Sequence, residues 1–201
     1  MNIQHIHGVP PLYTNTFLIV TNAKHGILID AAAEPGVYLK ALDEAGATLT
    51  HILLTHGHYD HVGAVAALKK ATGCKVYMDK ADAQGSQLLP LTPDVVTDEW
   101  PADGKLQIDE LPLTVCHTPG HTPGGVCIVC YGLLFSGDTL FAGSCGRTDF
   151  PGGSMQEMGK SLSLLAELPL PDATKVLPGH GEFSTLGQER RSNPYMNGAW
   201  Y

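Results

Sequence analysis

The chain has 201 residues, 43% of them hydrophobic and 16% charged, and carries a formal net charge of -8. That apolar fraction excludes a disordered protein and suffices for one well-buried core, so a single domain over residues 1–201 is expected. The acidic balance argues against a nucleic-acid partner, and no basic N-terminal region or apolar run of spanning length is present, so a soluble cytoplasmic protein without a membrane partner is expected.

Residues 16–20 and 26–30 are apolar runs separated by 21–25, the pattern of a hairpin of two buried strands. Pro35 opens a helix through Ala45 that stops at Gly46. Residues 48–54 form the next strand. At its end stands Thr55-His56-Gly57-His58-Tyr59-Asp60-His61, then a helix beginning at Gly63 and ending near Gly73. A strand at 75–78 follows. Residues 86–104, with Pro90, Pro93, Pro101 and Gly104, lack periodicity and read as a surface loop. Short apolar pieces at 106–108, 113–116, 126–131 and 133–135 predict a second, mostly antiparallel sheet. Ser154 begins a helix with Met155, Met158, Leu162 and Leu165 at core-packing spacing, and 175–177 is the last strand. Two successive halves of strands and helices predict an α/β protein of two sheets packed face to face with helices outside. The aromatic tail 193–201 is expected to dock on the domain or on a second subunit, and nothing in it assigns an oligomeric state.

The five cysteines, Cys74, Cys116, Cys127, Cys130 and Cys145, lack the spacing of a disulfide framework and read as reduced thiols. Cys127 and Cys130 have CxxC spacing, but inside an apolar run. A strand turns residues three apart to opposite faces, so two buried strand cysteines are expected.

Four ligand-type side chains, His56, His58, Asp60 and His61, crowd one strand end. On a regular helix they would fan around the axis, whereas a glycine-containing turn aims all four inward. One histidine alone would read as a surface residue, and Asp60 alone as a helix cap. Three further strand ends supply His121, Asp138 and His180, each beside Gly or Pro in a sharp turn. Five histidines and two aspartates are nitrogen and oxygen ligands suited to zinc, iron or manganese, and too many for one tetrahedral ion. They divide into His56, His58 and His121 for one divalent ion and Asp60, His61 and His180 for another, with Asp138 bridging. Each ion keeps a place for solvent, as in a catalytic site. His117 reads either as a neighbour of these ligands or as a solvent-facing turn residue.

Thr55 to His61 resembles the THxHxDH motif of the metallo-β-lactamase superfamily, and His121, Asp138 and His180 match its later motifs in order. The resemblance runs from the first hairpin to about Pro194 and implies a four-layer αββα sandwich with metals at one edge. Gly137-Asp138-Thr139-Leu140-Phe141, Gly143-Ser144-Cys145-Gly146-Arg147 and Pro178-Gly179-His180 are most similar to the glyoxalase II (hydroxyacylglutathione hydrolase) group. Thr185 to Arg190, followed by Asn193-Pro194, resembles its short bacterial members. The resemblance implies a metallo-hydrolase that cleaves S-lactoylglutathione or a related hydroxyacyl thioester with two divalent transition-metal ions, zinc foremost. Such ions lower the pKa of a shared water from about 16 towards 7. Asp60 would orient the resulting hydroxide, and a thiolate, whose parent thiol has a pKa near ~8.5, leaves without a strong acid. Arg147 is expected to hold the thiol part of the substrate through carboxylate or amide oxygens, the alternative being a pair with Asp149 inside its own loop.

The longer glyoxalase II enzymes carry an extra C-terminal helical domain, which is not expected here, and Asp149 and Phe183 stand near where they offer tyrosines. The superfamily's diiron oxygen reductases have Glu where this chain has His58. Cys145-Gly146-Arg147-Thr148-Asp149-Phe150 also resembles a loop of the superfamily's persulfide (sulfur) dioxygenases, which hold one iron by two His and one Asp. That gives the alternative function.

Overall fold

The computed structural model describes residues 2–198. Strands β1 (Asn2–His7), β2 (Asn15–Val20), β3 (His25–Ile29), β4 (Thr48–Leu53) and β5 (Lys75–Tyr77) form one sheet in the order β1-β2-β3-β4-β5. β2 and β3 make the expected antiparallel hairpin, while β3, β4 and β5 run parallel. The parallel crossovers carry α1 (Pro35–Ala45), then α2 (Tyr59–Val62) with α3 (Val65–Thr72). The second sheet uses β6 (Lys105–Ile108), β7 (Leu111–His117), β8 (Val126–Cys130) and β9 (Leu133–Gly137). After it come a small hairpin, β10 (Leu140–Phe141) and β11 (Ser144–Cys145), and helix α4 (Met155–Glu167). β12 (Lys175–Pro178), β13 (Ser184–Thr185) and α5 (Leu186–Ser192) complete the elements. The sheet order is β13-β12-β9-β8-β7-β6, antiparallel except where β12 lies parallel to β9.

Strands buried on both faces explain why their sequences are unbroken apolar runs rather than alternating ones. In β2, Leu18 and Val20 join Tyr38, Leu42 and Leu68 in a core under α1 and α3. Phe17 and Ile19 turn the other way, to meet Ile128, Phe135 and Leu177 between the sheets. A third core, between the second sheet and α4 and α5, holds Leu134, Met158, Leu162, Leu165, Val176 and Leu186. Three cores between four layers make the αββα sandwich. Emptying one fully buried position, as in Leu162→Ala, would cost ~2–5 kcal/mol. Helix ends follow their sequence signals. Pro35 begins α1, Gly46 ends it at φ 59, and the Ser154 hydroxyl accepts the Glu157 N–H at the start of α4. Cys127 and Cys130 are buried in two different cores, on opposite faces of β8 as expected.

The structure adds elements that the sequence did not announce. β1 is a polar edge strand with one buried residue, Ile6, so it has no apolar run to mark it. The stretch 86–104 contains no regular element but is more than a surface loop, since Leu89, Leu91 and Val96 are buried. In the tail, Met196 and Tyr195 pack on the third core, which docks that part on its own chain, while residues 199–201 lie outside the described residues. Among the described residues no helix is long and apolar enough to cross a membrane.

Candidate metal centre

The ends of β4, β7, β9 and β12 open onto one edge of the sandwich, and the loops leaving them bring all seven candidate ligands together. Ligand atoms of His56, His58 and His121 lie within 4.8 Å of one another, as do those of Asp60, His61 and His180, and those of His56, His61 and Asp138. Asp138 stands between the two outer triads. Its Oδ1 is 3.4 Å from His61 Nε2, and its Oδ2 is 3.4 Å from His121 Nε2 and 3.6 Å from His180 Nε2. His180 Nε2 also reaches Asp60 Oδ2 at 3.1 Å. Gly179 makes this convergence possible, because a Cβ there would collide with Asp138 Oδ1 and His61 Cε1.

The outward ring nitrogens are committed. His61 Nδ1 donates to Asp30 Oδ2 at 2.8 Å, His121 Nδ1 to the Arg147 carbonyl at 2.7 Å, and His180 Nδ1 to the Leu12 carbonyl at 3.2 Å. The Thr55 hydroxyl donates to Asp30 Oδ2 at 2.8 Å, so it accepts from His56 Nδ1 at 3.2 Å. These acceptors hold a proton on Nδ1 and turn the Nε2 atoms of four histidines inward, the arrangement that orients metal-bound imidazoles. His58 is the exception: its Nδ1 faces His121 Nε2 at 2.8 Å. His56 Nε2 and Asp138 Oδ1 are buried with no hydrogen-bond partner. Orphaned buried acceptors are costly unless something satisfies them, and a divalent cation fits this donor set.

Charge follows the same division. Burial, with His61 nearby, pushes His56 well below the ordinary histidine range, and burial beside His121 pushes His58 down to about 4. Burial acts the same way on His61, but Asp138 and Asp30 outweigh it and hold that ring well above its usual range. His180 is likewise raised against burial by its bond to Asp60. Burial would raise Asp138 and Asp60, yet the surrounding histidines, His61 first for Asp138 and His180 first for Asp60, hold both carboxylates low. The site is a cluster of carboxylates and imidazoles whose protons a cation can displace.

Three positioning residues went unnoticed in the sequence. Asp30, at φ 53 just beyond β3, accepts the Thr55 N–H and hydroxyl as well as His61. A carboxylate directly after the buried run Ile27-Leu28-Ile29 was its available signal. Asp82, fully buried, accepts the Gly57 N–H at 3.0 Å and the Gly124 N–H at 2.9 Å, which ties the His56–His58 turn to the loop of His121. Asn15 donates from Nδ2 to the carbonyls of Pro178 and Gly181, both at 3.0 Å, and so fixes the His180 turn. Neither Asp82 nor Asn15 sits in a local pattern that marks it. His117 proves to be half-exposed, 3.5 Å from Asp79, and outside the cluster. Arg147 lines the cleft and pairs with Asp149 through Nε and Nη2, both at 2.7 Å.

Residues 9–180 match the Metallo-beta-lactamase superfamily. The hydroxyacylglutathione hydrolase GloC of Haemophilus influenzae is 35% identical, over 98% of this chain and 99% of its own. The crystal structure of BLEG-1 B3 metallo-beta-lactamase covers 97% of this chain and 99% of its own at a TM-score of 0.86 and 31% identity. That of ETHE1 from Myxococcus xanthus covers 98% and 85% at 0.83 and 28% identity. TTHA1623, solved in a di-iron-bound form, covers 96% and 99% at 0.79 and 36% identity. The four-layer fold, the edge cluster and these likenesses agree, and the chain belongs to the metallo-beta-lactamase superfamily as a metallo-hydrolase.

Proposed function

We propose that the protein hydrolyses S-lactoylglutathione or a related hydroxyacyl thioester. In this reading His56, His58 and His121 would hold one divalent ion and Asp60, His61 and His180 a second, with Asp138 available to both. Residues 1–201 act as one hydrolase domain, and the partner is a small-molecule thioester. The observation that carries the proposal is the convergence of seven nitrogen and oxygen donors, with the outward nitrogens of four histidines capped, on the floor of an open cleft. Zinc, and then iron or manganese, suits that donor set. The bound cations would supply a hydroxide at neutral pH and a Lewis acid for the thioester carbonyl.

The chain's own groups do the rest. Asp60, held by His180 and lying 3.5 Å from the Thr14 hydroxyl, orients the nucleophile by accepting its hydrogen bond. The thiolate leaves without an acid because its parent thiol has a pKa near ~8.5. Arg147 keeps its Nη1 hydrogens for an amide oxygen of the thiol arm, since Asp149 occupies Nε and Nη2. The likeness to GloC supports the thioester bond as the target.

A second reading, a mononuclear-iron persulfide dioxygenase, is supported by the Cys145 to Phe150 loop and the likeness to ETHE1. Parallel assays of metal-loaded protein separate the two. Thiol release from S-lactoylglutathione without oxygen consumption is expected, whereas oxygen uptake with glutathione persulfide and no thioester cleavage would replace the first reading by the second.

A further inference from the structure

Above the histidines the cleft changes character. Leu12, Tyr59, Leu88, Phe141 and Phe150, from five separate segments, line an opening of ≈ 520 Å³. Leu12 and Tyr59 are 43% and 51% exposed. Apolar side chains gathered in this way around a concave opening mark a surface that binds something apolar. The wall is tied together and to the floor: the Tyr59 N–H donates to the Leu88 carbonyl at 3.0 Å, and the Leu12 carbonyl accepts from His180.

The electrostatics are as telling as the shape. Among the described residues lining this cleft, Arg147 is the only lysine or arginine. Its fork is closed by Asp149, and its guanidinium carbon sits 4.1 Å from the centre of the Phe150 ring. The Arg147–Asp149 pair is therefore neutral as a unit and presents a ring face and spare N–H groups rather than a free cation. Glutathione carries two carboxylates and one ammonium, and tight recognition of a carboxylate takes an uncommitted arginine, lysine or helix N-terminus. The wall of this cleft offers the carboxylates no such arginine or lysine, and the chain's net charge of -8 opposes an anion at longer range.

We infer that the thiol arm of the natural thioester is uncharged and largely apolar, an amide-bearing arm of the N-acylcysteamine kind, seated against Leu12, Tyr59 and Leu88 with its amide oxygen on Arg147. This rests on the thioester reading and narrows its substrate away from the glutathione arm named for the Haemophilus influenzae relative.

Binding, not turnover, provides the test. Metal-loaded protein is titrated in a calorimeter with two non-hydrolysable thioethers, S-ethylglutathione and S-ethyl-N-hexanoylcysteamine. The neutral ligand is expected to bind at least about tenfold more tightly, with little dependence on salt, and Leu88→Asp is expected to weaken it by about tenfold while leaving metal content intact. Equal or tighter binding of the glutathione ligand, or no binding of the neutral one, overturns the inference. The thioester reading is judged separately, with the S-lactoyl esters of the same two thiols. If the neutral thioether binds as expected but neither ester is cleaved, the hydrolase reading falls and the apolar arm site stands.

Discussion

Replacing Asp30 by Asn exchanges one oxygen for an amide nitrogen at a position almost closed to water. In the native protein Oδ1 accepts the Thr55 N–H, and Oδ2 accepts both the Thr55 hydroxyl and His61 Nδ1, all at 2.8 Å. If the Asn oxygen keeps the Thr55 N–H, its NH2 group faces two donors. His61 can escape the clash only by giving up its Nδ1 proton and keeping one on Nε2, where it points at Asp138 and the candidate metal position. The Thr55 hydroxyl loses its acceptor at the same time. Two bonds to a charged acceptor at ~1.5–3 kcal/mol each set a loss of roughly 3–6 kcal/mol as an upper range, a large part of the ~5–15 kcal/mol typical of a domain. Metal affinity should fall by about 10–100-fold, the usual effect of removing a partner that orients a ligand. Urea unfolding of metal-free protein and chelator competition for the metal measure the two effects separately. Unchanged affinity would refute the orienting role, and a stability loss with native affinity would confine Asp30 to folding.

Asp138→Ala should lower occupancy of both ions together, because its oxygens face both outer triads; elemental analysis showing loss of one ion alone would contradict the bridge. Asp60→Asn is expected to depress kcat far more than it raises KM, and steady-state kinetics with an unchanged kcat would remove Asp60 from the mechanism. Asp82→Ala leaves the buried Gly57 and Gly124 N–H groups unpaired, at a cost of ~2–6 kcal/mol in denaturant unfolding, and should weaken the His56–His58–His121 ion more than its neighbour. His61 is held above the ordinary histidine range by Asp138 and Asp30, whereas burial holds His56 and His58 below it. Metal uptake by the Asp60–His61–His180 triad should therefore release protons and weaken as pH falls, as calorimetry in buffers of different ionisation enthalpy would record; proton release from the other triad instead would reverse the assignment.

The candidate cluster was legible as a grouping because the same few nitrogen- and oxygen-donor residue types recur at several strand ends, and four of them fall within six positions. The layers were legible because strands buried on both faces read as unbroken apolar runs, and Pro35, Gly46 and Ser154 punctuate the helices. What stayed hidden works across distance through single side chains. Asp82 joins turns 25 and 42 residues away, and Asn15 holds a carbonyl 163 residues on. No local spacing encodes such contacts. β1 escaped because an edge strand needs no apolar run, and the β10–β11 hairpin because strands of two residues carry no periodicity. The apolar rim of the cleft assembles from five segments, so it exists only in the folded chain.

If the seven-donor cluster holds the ions that drive hydrolysis, thioester cleavage depends on bound metal. Protein stripped by a chelator is titrated with zinc, iron or manganese, and thiol release from lactoyl thioesters of glutathione and of N-acetylcysteamine is followed at each addition. The stripped protein is expected to show no hydrolysis, and activity is expected to rise with added metal to a plateau at two ions per chain. Cleavage by the metal-free protein, or none on either thioester with any of the three metals bound, would contradict that expectation.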